Sequence, residues 1–215
     1  MAQKANCSTI YEEHKDEILA GLYPPSFALT EVELATRYGV CRNTVKKSLL
    51  MLESDGLVTI ERNKGARIKV CSREEVLEFM EVREELEALI CRKVAINISD
   101  ESLVKLEQLL TEMKTHKENK ELLEYSACNR KFHAIIYNEC ENKTAVEMTI
   151  HLKEQMKKYN NKTILAPGRN ETSLKEHIAI FEALKSHNPI DAEKAIRTHM
   201  QNVATTFRLY YQLLF

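Results

Sequence analysis

Three histidines that lie far apart along the chain, His133, His177 and His199, are the residues best placed to act together. Each falls on the apolar stripe of its own predicted helix: His133 with Phe132 and Ile136, His177 with Leu174, Ile178 and Phe181, and His199 with Ile196 and Val203. A lone histidine on such a stripe is usually a hydrogen-bonded core residue, and three could be three such cases. If they meet in one core, each neutral imidazole gives a nitrogen lone pair to a divalent transition metal, zinc or a neighbour of zinc. Asn129 stands four residues before His133, on the same helical face. Arg83 lies between Phe79 and Leu86 on an inward stripe, a costly place for an unpaired guanidinium. Two readings stand for it: an ion pair with Glu87 at i+4, or a planar fork that clamps the carboxylate of a small effector. His14, His116, His151 and His187 lack a comparable constellation and are expected at the surface or its boundary.

A second set of residues suits phosphate. The formal net charge is only −1, but residues 37–70 carry eight lysines and arginines against three acids. A local excess of this kind is the electrostatic footprint of a nucleic-acid surface. Within it, Arg42, Asn43, Thr44, Lys46 and Lys47 fall opposite the apolar Val45, Leu49 and Leu52 of one predicted helix. Arg62, Asn63 and Lys64 occupy a predicted turn, and Arg37 is a further phosphate candidate by charge and position. An isolated basic face can be merely solvated, so the order of the elements around it has to decide.

Those elements follow one after another. A first helix is expected from after Ser8 to Gly21, with Pro24-Pro25 forbidding continuation. Thr30-Glu31-Val32-Glu33 has the form of a capping box and opens a second helix that Gly39 ends. A third runs from about Arg42 to Ser54 and closes at Gly56. Residues 57–60 and 67–70 then read as strands around the turn Asn63-Lys64-Gly65. Helix, helix, turn, helix and hairpin make a winged helix-turn-helix. From Ser72-Arg73-Glu74-Glu75, another capping box, the period is helical throughout: roughly 73–97, 101–118, 121–139, 143–165, 171–187 and 190–213. The fold class is therefore mainly α, a winged helix-turn-helix over 1–71 and an antiparallel all-helical bundle over 72–215.

With 44% hydrophobic and 29% charged residues and no long apolar run, the composition excludes a membrane span and a disordered chain. Six cysteines without a C-x-x-C pair read as reduced thiols, and with no signal peptide the expected location is the cytoplasm.

The segment PPSFALTEVELATRYGVCRNTVKKSLLMLESDGLVTIERNKGARI resembles the GntR family of bacterial regulators. Glu81-Val82-Arg83-Glu84-Glu85-Leu86-Glu87, Asn129-x-x-Phe132-His133, Glu176-His177 and Ala195-x-x-x-His199 are similar in order and rough spacing to the FCD effector domain of its FadR-like subfamily. The resemblance implies that Arg42 and Lys46 reach base edges or phosphates, that Asn43 and Thr44 donate near the helix start, and that Arg62, Asn63 and Lys64 form the wing. It implies a metal held by Asn129, His133, His177 and His199, and an effector touching Arg83 and Asn129. It also implies a homodimer on a pseudo-palindromic double-stranded operator, with repression the commoner behaviour. Three departures bear on which operator is read: Cys41 for the usual Ser, Thr44 for Pro and Lys46 for Arg. Asn129 stands where an aspartate is usual, and a neutral oxygen lowers the expected metal affinity.

Two other classes compete with a regulator. A metal-dependent helical-bundle enzyme with a winged-helix appendage would need an acid/base pair or nucleotide motif, and none is present. A winged helix used only for protein contacts would not need the basic excess.

Overall fold

The computed structural model describes residues 5–24, 26–61, 65–156 and 163–214. It divides into two compact units, residues 1–72 and 73–215.

In the first unit, helix α1 spans Cys7–Leu19 and starts two residues earlier than Ser8 suggested, because the Asn6 side chain accepts the Thr9 amide at 2.9 Å. Strand β1 (Ala28–Leu29) leads into α2 (Glu31–Tyr38). Thr30 caps α2 as its spacing predicts, accepting the Glu33 amide, although the Glu33 carboxylate takes the Thr30 hydroxyl rather than its amide. Gly39 ends α2 in the left-handed region, at φ 62°. Helix α3 spans Arg42–Ser54 and is followed by β2 (Val58–Glu61) and β3 (Gly65–Ile68). The strands form an antiparallel sheet in the order β1-β3-β2, with Val58 opposite Ile68. The second strand of the hairpin thus begins two residues earlier than expected, and β1 adds a third strand that two residues are too few to announce by alternation. Ile10, Leu34, Val45, Leu49, Leu52 and Ile68 close the core.

Gly65 is the position this sheet can least change. Its φ is +88°, and a Cβ there would lie 2.5 Å from the Leu29 carbonyl oxygen across the β1–β3 pair. Positive φ and a clash with backbone act together, so Gly65→Ala is expected to destabilise the unit by about 2–3 kcal/mol. Chemical denaturation of wild type and variant, with the second unit's transition as internal reference, measures the loss.

The second unit comprises α4 (Arg73–Asn97), α5 (Asp100–Glu118), α6 (Leu122–Glu139), α7 (Lys143–Gln155), a 3-10 turn at Thr163–Leu165, α8 (Arg169–Lys185) and α9 (Pro189–Leu214). Helix α4 packs on α9, α9 on α8, and α5 on α6. Polar residues mark the corners. Ser99 caps α5, Asn142 caps α7, and the Asn188 side chain accepts the amides of Ile190 and Asp191 beyond Pro189 at the α9 start. The expected helix over 143–165 is not continuous: α7 ends at Gln155, and residues 163–165 form a separate turn. Ile90, Leu106, Met113, Phe132, Ile136 and Ile180 are fully buried at the centre of this unit.

Candidate functional site

In the first unit α3 presents the features of a reading helix. Val45, Ser48, Leu49 and Leu52 are buried, while Arg42, Asn43, Lys46 and Lys47 are exposed on the opposite side, from the N-terminal end onward. Thr44 is half-buried and its hydroxyl lies 3.3 Å from the Cys41 sulfur, so it is partly committed inside the unit. Arg37, expected to face phosphate, instead meets Glu13 at 2.6 Å and Glu17 at 3.0 Å. The hydrogen bond to Glu17 raises its pKa further, and the guanidinium ties α2 to α1 with its charge already answered. The wing residues Arg62, Asn63 and Lys64 lie outside the described residues. His14 is not at the surface: it is fully buried beside Tyr23 and Tyr38, and burial lowers its pKa.

In the second unit α6, α8 and α9 bring His133, His177 and His199 together. All three are buried, and one ligand nitrogen from each lies within 4.8 Å of the others. The Nε2 atoms of His133 and His177 are 3.3 Å apart. Two nitrogens on one tetrahedral zinc, each about 2.0–2.1 Å away, would stand at nearly that separation. Phe132 lies edge-on to both rings, with centroids 5.9 and 5.0 Å away. Ile178, expected on the inward stripe, is exposed; the inward face of α8 runs instead through Ser173, His177, Ile180 and Leu184.

The partners of the rings determine which nitrogen is free. His177 Nδ1 donates to the Ser173 carbonyl at 2.7 Å, and His199 Nδ1 donates to the Glu176 carboxylate at 2.7 Å. Neither partner can donate in return, so Nε2 of each ring carries the lone pair. His133 Nδ1 stands 3.5 Å from Glu87 Oε2. Burial lowers the pKa of His177 to about 3 and those of His133 and His199 to about 4, which keeps all three neutral at neutral pH. Neutral imidazoles with Nδ1 turned outward to acceptors and Nε2 turned inward are the ligand arrangement of metal sites.

Two buried ion pairs stand behind the rings. Glu87 accepts from Arg83 Nε at 2.7 Å; burial opposes its charge, but Arg83 and His133 hold its carboxyl well below the usual range. Arg83 also reaches the Met200 sulfur at 3.3 Å. Of the two readings of Arg83, the ion pair is formed. Glu176 is gripped by both terminal nitrogens of Arg169, at 3.0 and 2.7 Å, and by the Asn202 amide at 2.8 Å. Arg169 and Asn202 were not singled out in the sequence, although Arg169 lies two helical turns before Glu176 and Asn202 one turn after His199. Asn129, one turn before His133, has a buried Oδ1 without a hydrogen-bond partner among the described residues. Three inward lone pairs and an orphaned neutral oxygen fit a divalent metal that accepts nitrogen ligands.

A helix-turn-helix with a basic reading helix, joined to a helical unit built around a buried polar centre, defines a DNA-binding regulator that responds to a ligand. The model for bacterial regulatory proteins of the gntR family matches residues 6–68, and the FCD domain model matches residues 78–202. The chain therefore belongs to the GntR family of transcriptional regulators with an FCD domain, and it is not an enzyme. It is 24% identical over 199 residues to the HTH-type transcriptional repressor RspR of Escherichia coli, covering 93% of this chain and 87% of that protein. It is 28% identical over 193 residues to the HTH-type transcriptional regulator YdhC of Bacillus subtilis, covering 89% and 86%. Its fold is that of the solved structure of E. coli McbR/YncC, with a TM-score of 0.72 at 20% identity over 98% of this chain and all of that one. Among the described residues no helix is long and apolar enough to cross a membrane.

Proposed function

We propose that this regulator is a cytoplasmic homodimer that represses from a pseudo-palindromic operator and is controlled by a small carboxylate effector bound at the histidine centre, with a divalent transition metal between protein and effector. The observation that carries the reading is the convergence of three neutral imidazoles, each with its second nitrogen bound to or facing an acceptor. When bound, the metal supplies a positive charge that attracts a carboxylate. His133, His177 and His199 would hold it, with Asn129 as a neutral oxygen donor. Because these ligands add no negative charge, the centre favours an anion. Arg83 acts through Glu87, orienting His133, rather than as a direct clamp. Repression is proposed because several relatives, RspR among them, are described as repressors. A dimer is proposed because one reading helix covers only a half-site.

On the DNA side, Arg42, Asn43, Lys46 and Lys47 are assigned to the operator, with Thr44 near the helix start and Arg62, Asn63 and Lys64 at the wing. Operator duplexes selected from a random pool by the purified protein provide the test. Arg42→Ala or Lys46→Ala is expected to weaken binding by about 1–3 kcal/mol, relax specificity at one position and flatten the salt dependence. Neither residue is part of the core, so the thermal midpoint stays unchanged. Wild-type affinity and salt slope in both variants would remove the assignment.

A further inference from the structure

His14 of α1 is fully buried in the first unit and has no part in the histidine centre of the second. Its ring centroid is 5.7 Å from that of Tyr38, at the end of α2, and 6.1 Å from that of Tyr23, in the segment before β1. Nδ1 lies 3.3 Å from Glu17 Oε2 and 3.4 Å from the Tyr38 hydroxyl oxygen. Nε2 is buried and has no hydrogen-bond partner among the described residues. With Nδ1 donating to the Glu17 carboxylate, Nε2 carries the lone pair, and the neutral ring leaves a single unpaired acceptor in the core.

Protonation changes this balance. It sets a donor without an acceptor, and a full charge, inside the core of the unit. The charged groups around the ring are already engaged. Glu13 and Glu17 answer Arg37 at 2.6 and 3.0 Å, and Glu17 also accepts from the Tyr23 hydroxyl. Arg37 repels an imidazolium. On the α3 side Asp55 is taken by Lys15 and Tyr11, and Glu53 by the Ile60 amide. Burial is the largest influence on His14, and with Arg37 it holds the ring pKa below its ordinary value although Glu17 and Glu13 pull it upward. Tyr38 is the last residue of α2, and Gly39, Val40 and Cys41 separate it from Arg42 at the start of α3. Both α1 and α2 pack on α3. A charge that drives His14 and Tyr38 apart therefore acts on the turn that aims the reading helix.

We propose that His14 makes operator binding acid-sensitive: protonation of its buried ring parts α1 from the end of α2, misplaces the start of α3 and releases the DNA on mild acidification. The sign follows from proton linkage. The ring pKa is lowered in the closed fold, so the opened or unfolded chain binds the extra proton. The stabilisation is complete above the unfolded imidazole pKa of about 6.5 and declines as pH falls from there toward the folded value. Glu17, whose carboxyl is held below its ordinary value by Arg37 and Tyr23 against the effect of burial, takes up its proton in stronger acid, so the two titrations separate. Histidine is the side chain whose charge changes nearest neutrality, which suits it to this position.

The test uses the full-length protein, freed of metal by a chelator so that the second unit's histidines bind none, and the operator duplex obtained by the selection described above. Binding is followed by fluorescence anisotropy at constant ionic strength. Wild type is expected to bind about three- to tenfold more weakly at about pH 5.5 than at about pH 7.5, within the tenfold per pH unit that one proton allows. His14→Asn keeps a donor near the Nδ1 position but cannot titrate, and His14→Phe fills the site with an apolar ring. In either folded variant the acid loss disappears. In parallel, wild-type protein carrying 13C in its histidine rings, with the His14 signal assigned through bonds, shows where that ring takes up its proton. A wild-type affinity that is flat over this range overturns the proposal. So does an acid loss that persists in the variants, or a His14 ring already charged at neutral pH. If neither variant folds, wild type decides alone: its affinity must fall as the His14 ring takes up its proton, and a fall at any other pH overturns the proposal.

Discussion

Glu176→Gln is expected to cost the helical unit about 3–5 kcal/mol, the largest loss of stability among the substitutions considered. The carboxylate is buried and accepts four hydrogen bonds, two from Arg169, one from Asn202 and one from His199. Neutralising it leaves the guanidinium of Arg169, itself buried, without a counter-charge, and breaking one side of a buried pair is far costlier than the net worth of the pair. The pH dependence has a definite sign. Burial raises the carboxyl pKa, but His199 and Arg169 outweigh it and the folded value falls below the ordinary one. The unfolded chain then binds the extra proton, so this stabilisation is complete above the unfolded pKa of about 4.3 and is lost as pH falls through the folded value. Denaturation midpoints between pH 7 and pH 3 should therefore converge for wild type and variant in acid. Glutamine also turns an acceptor of the His199 proton into a poorer one, for which a 10–100-fold loss of metal affinity is expected. Equal stability of the two proteins at pH 7 would show that the Arg169–Glu176 pair does not form.

The winged-helix elements could be read closely because local chemistry specifies their ends: Thr30 with Glu33 opens α2, Gly39 closes it, and the stripe Val45, Leu49, Leu52 orients α3. The three histidines could be read for a related reason, since each follows the period of its own helix. What was missed depends on contacts between elements. Ile178 looked inward because it neighbours His177, but a helix stripe has width, and packing against α5 and α9 decided which edge is covered. His14 has no local sign of burial; two tyrosines from later segments, Tyr23 and Tyr38, cover it. The charge of Arg37 was visible and its partners were not, because Glu13 and Glu17 lie 24 and 20 residues earlier, on another helix. Arg169 differs, because its partner Glu176 lies seven residues later on the same helix. A cation is read from sequence as available, and only the fold shows whether a carboxylate has already answered it.

His177→Ala is expected to have the largest effect on metal retention, and the reason lies in its close approach to both of the other rings. Its ring centroid is 4.7 Å from that of His199 and 5.2 Å from that of His133, and its Nε2 lies 3.3 Å from the His133 nitrogen. With Nδ1 committed to the Ser173 carbonyl, the ring is held with Nε2 turned inward toward the His133 nitrogen. Losing a ligand should cost more than losing a ligand's hydrogen-bonding partner. The affinity for zinc should therefore fall by more than the 10–100-fold expected for Glu176→Gln. Stability runs the other way. Removing the imidazole also removes the opposition of two lone pairs at 3.3 Å and leaves no buried charge without its counter-charge, so the metal-free variant is expected to lose less stability than Glu176→Gln does. Competition with a chelator of known zinc affinity, together with denaturation of the metal-free proteins, measures both quantities on the same pair of variants. If His177→Ala retains zinc as tightly as wild type, the three imidazoles are core histidines that happen to meet, and the metal must be withdrawn. The operator-binding test of Arg42 and Lys46 would stand unaffected, because it draws on residues of the other unit.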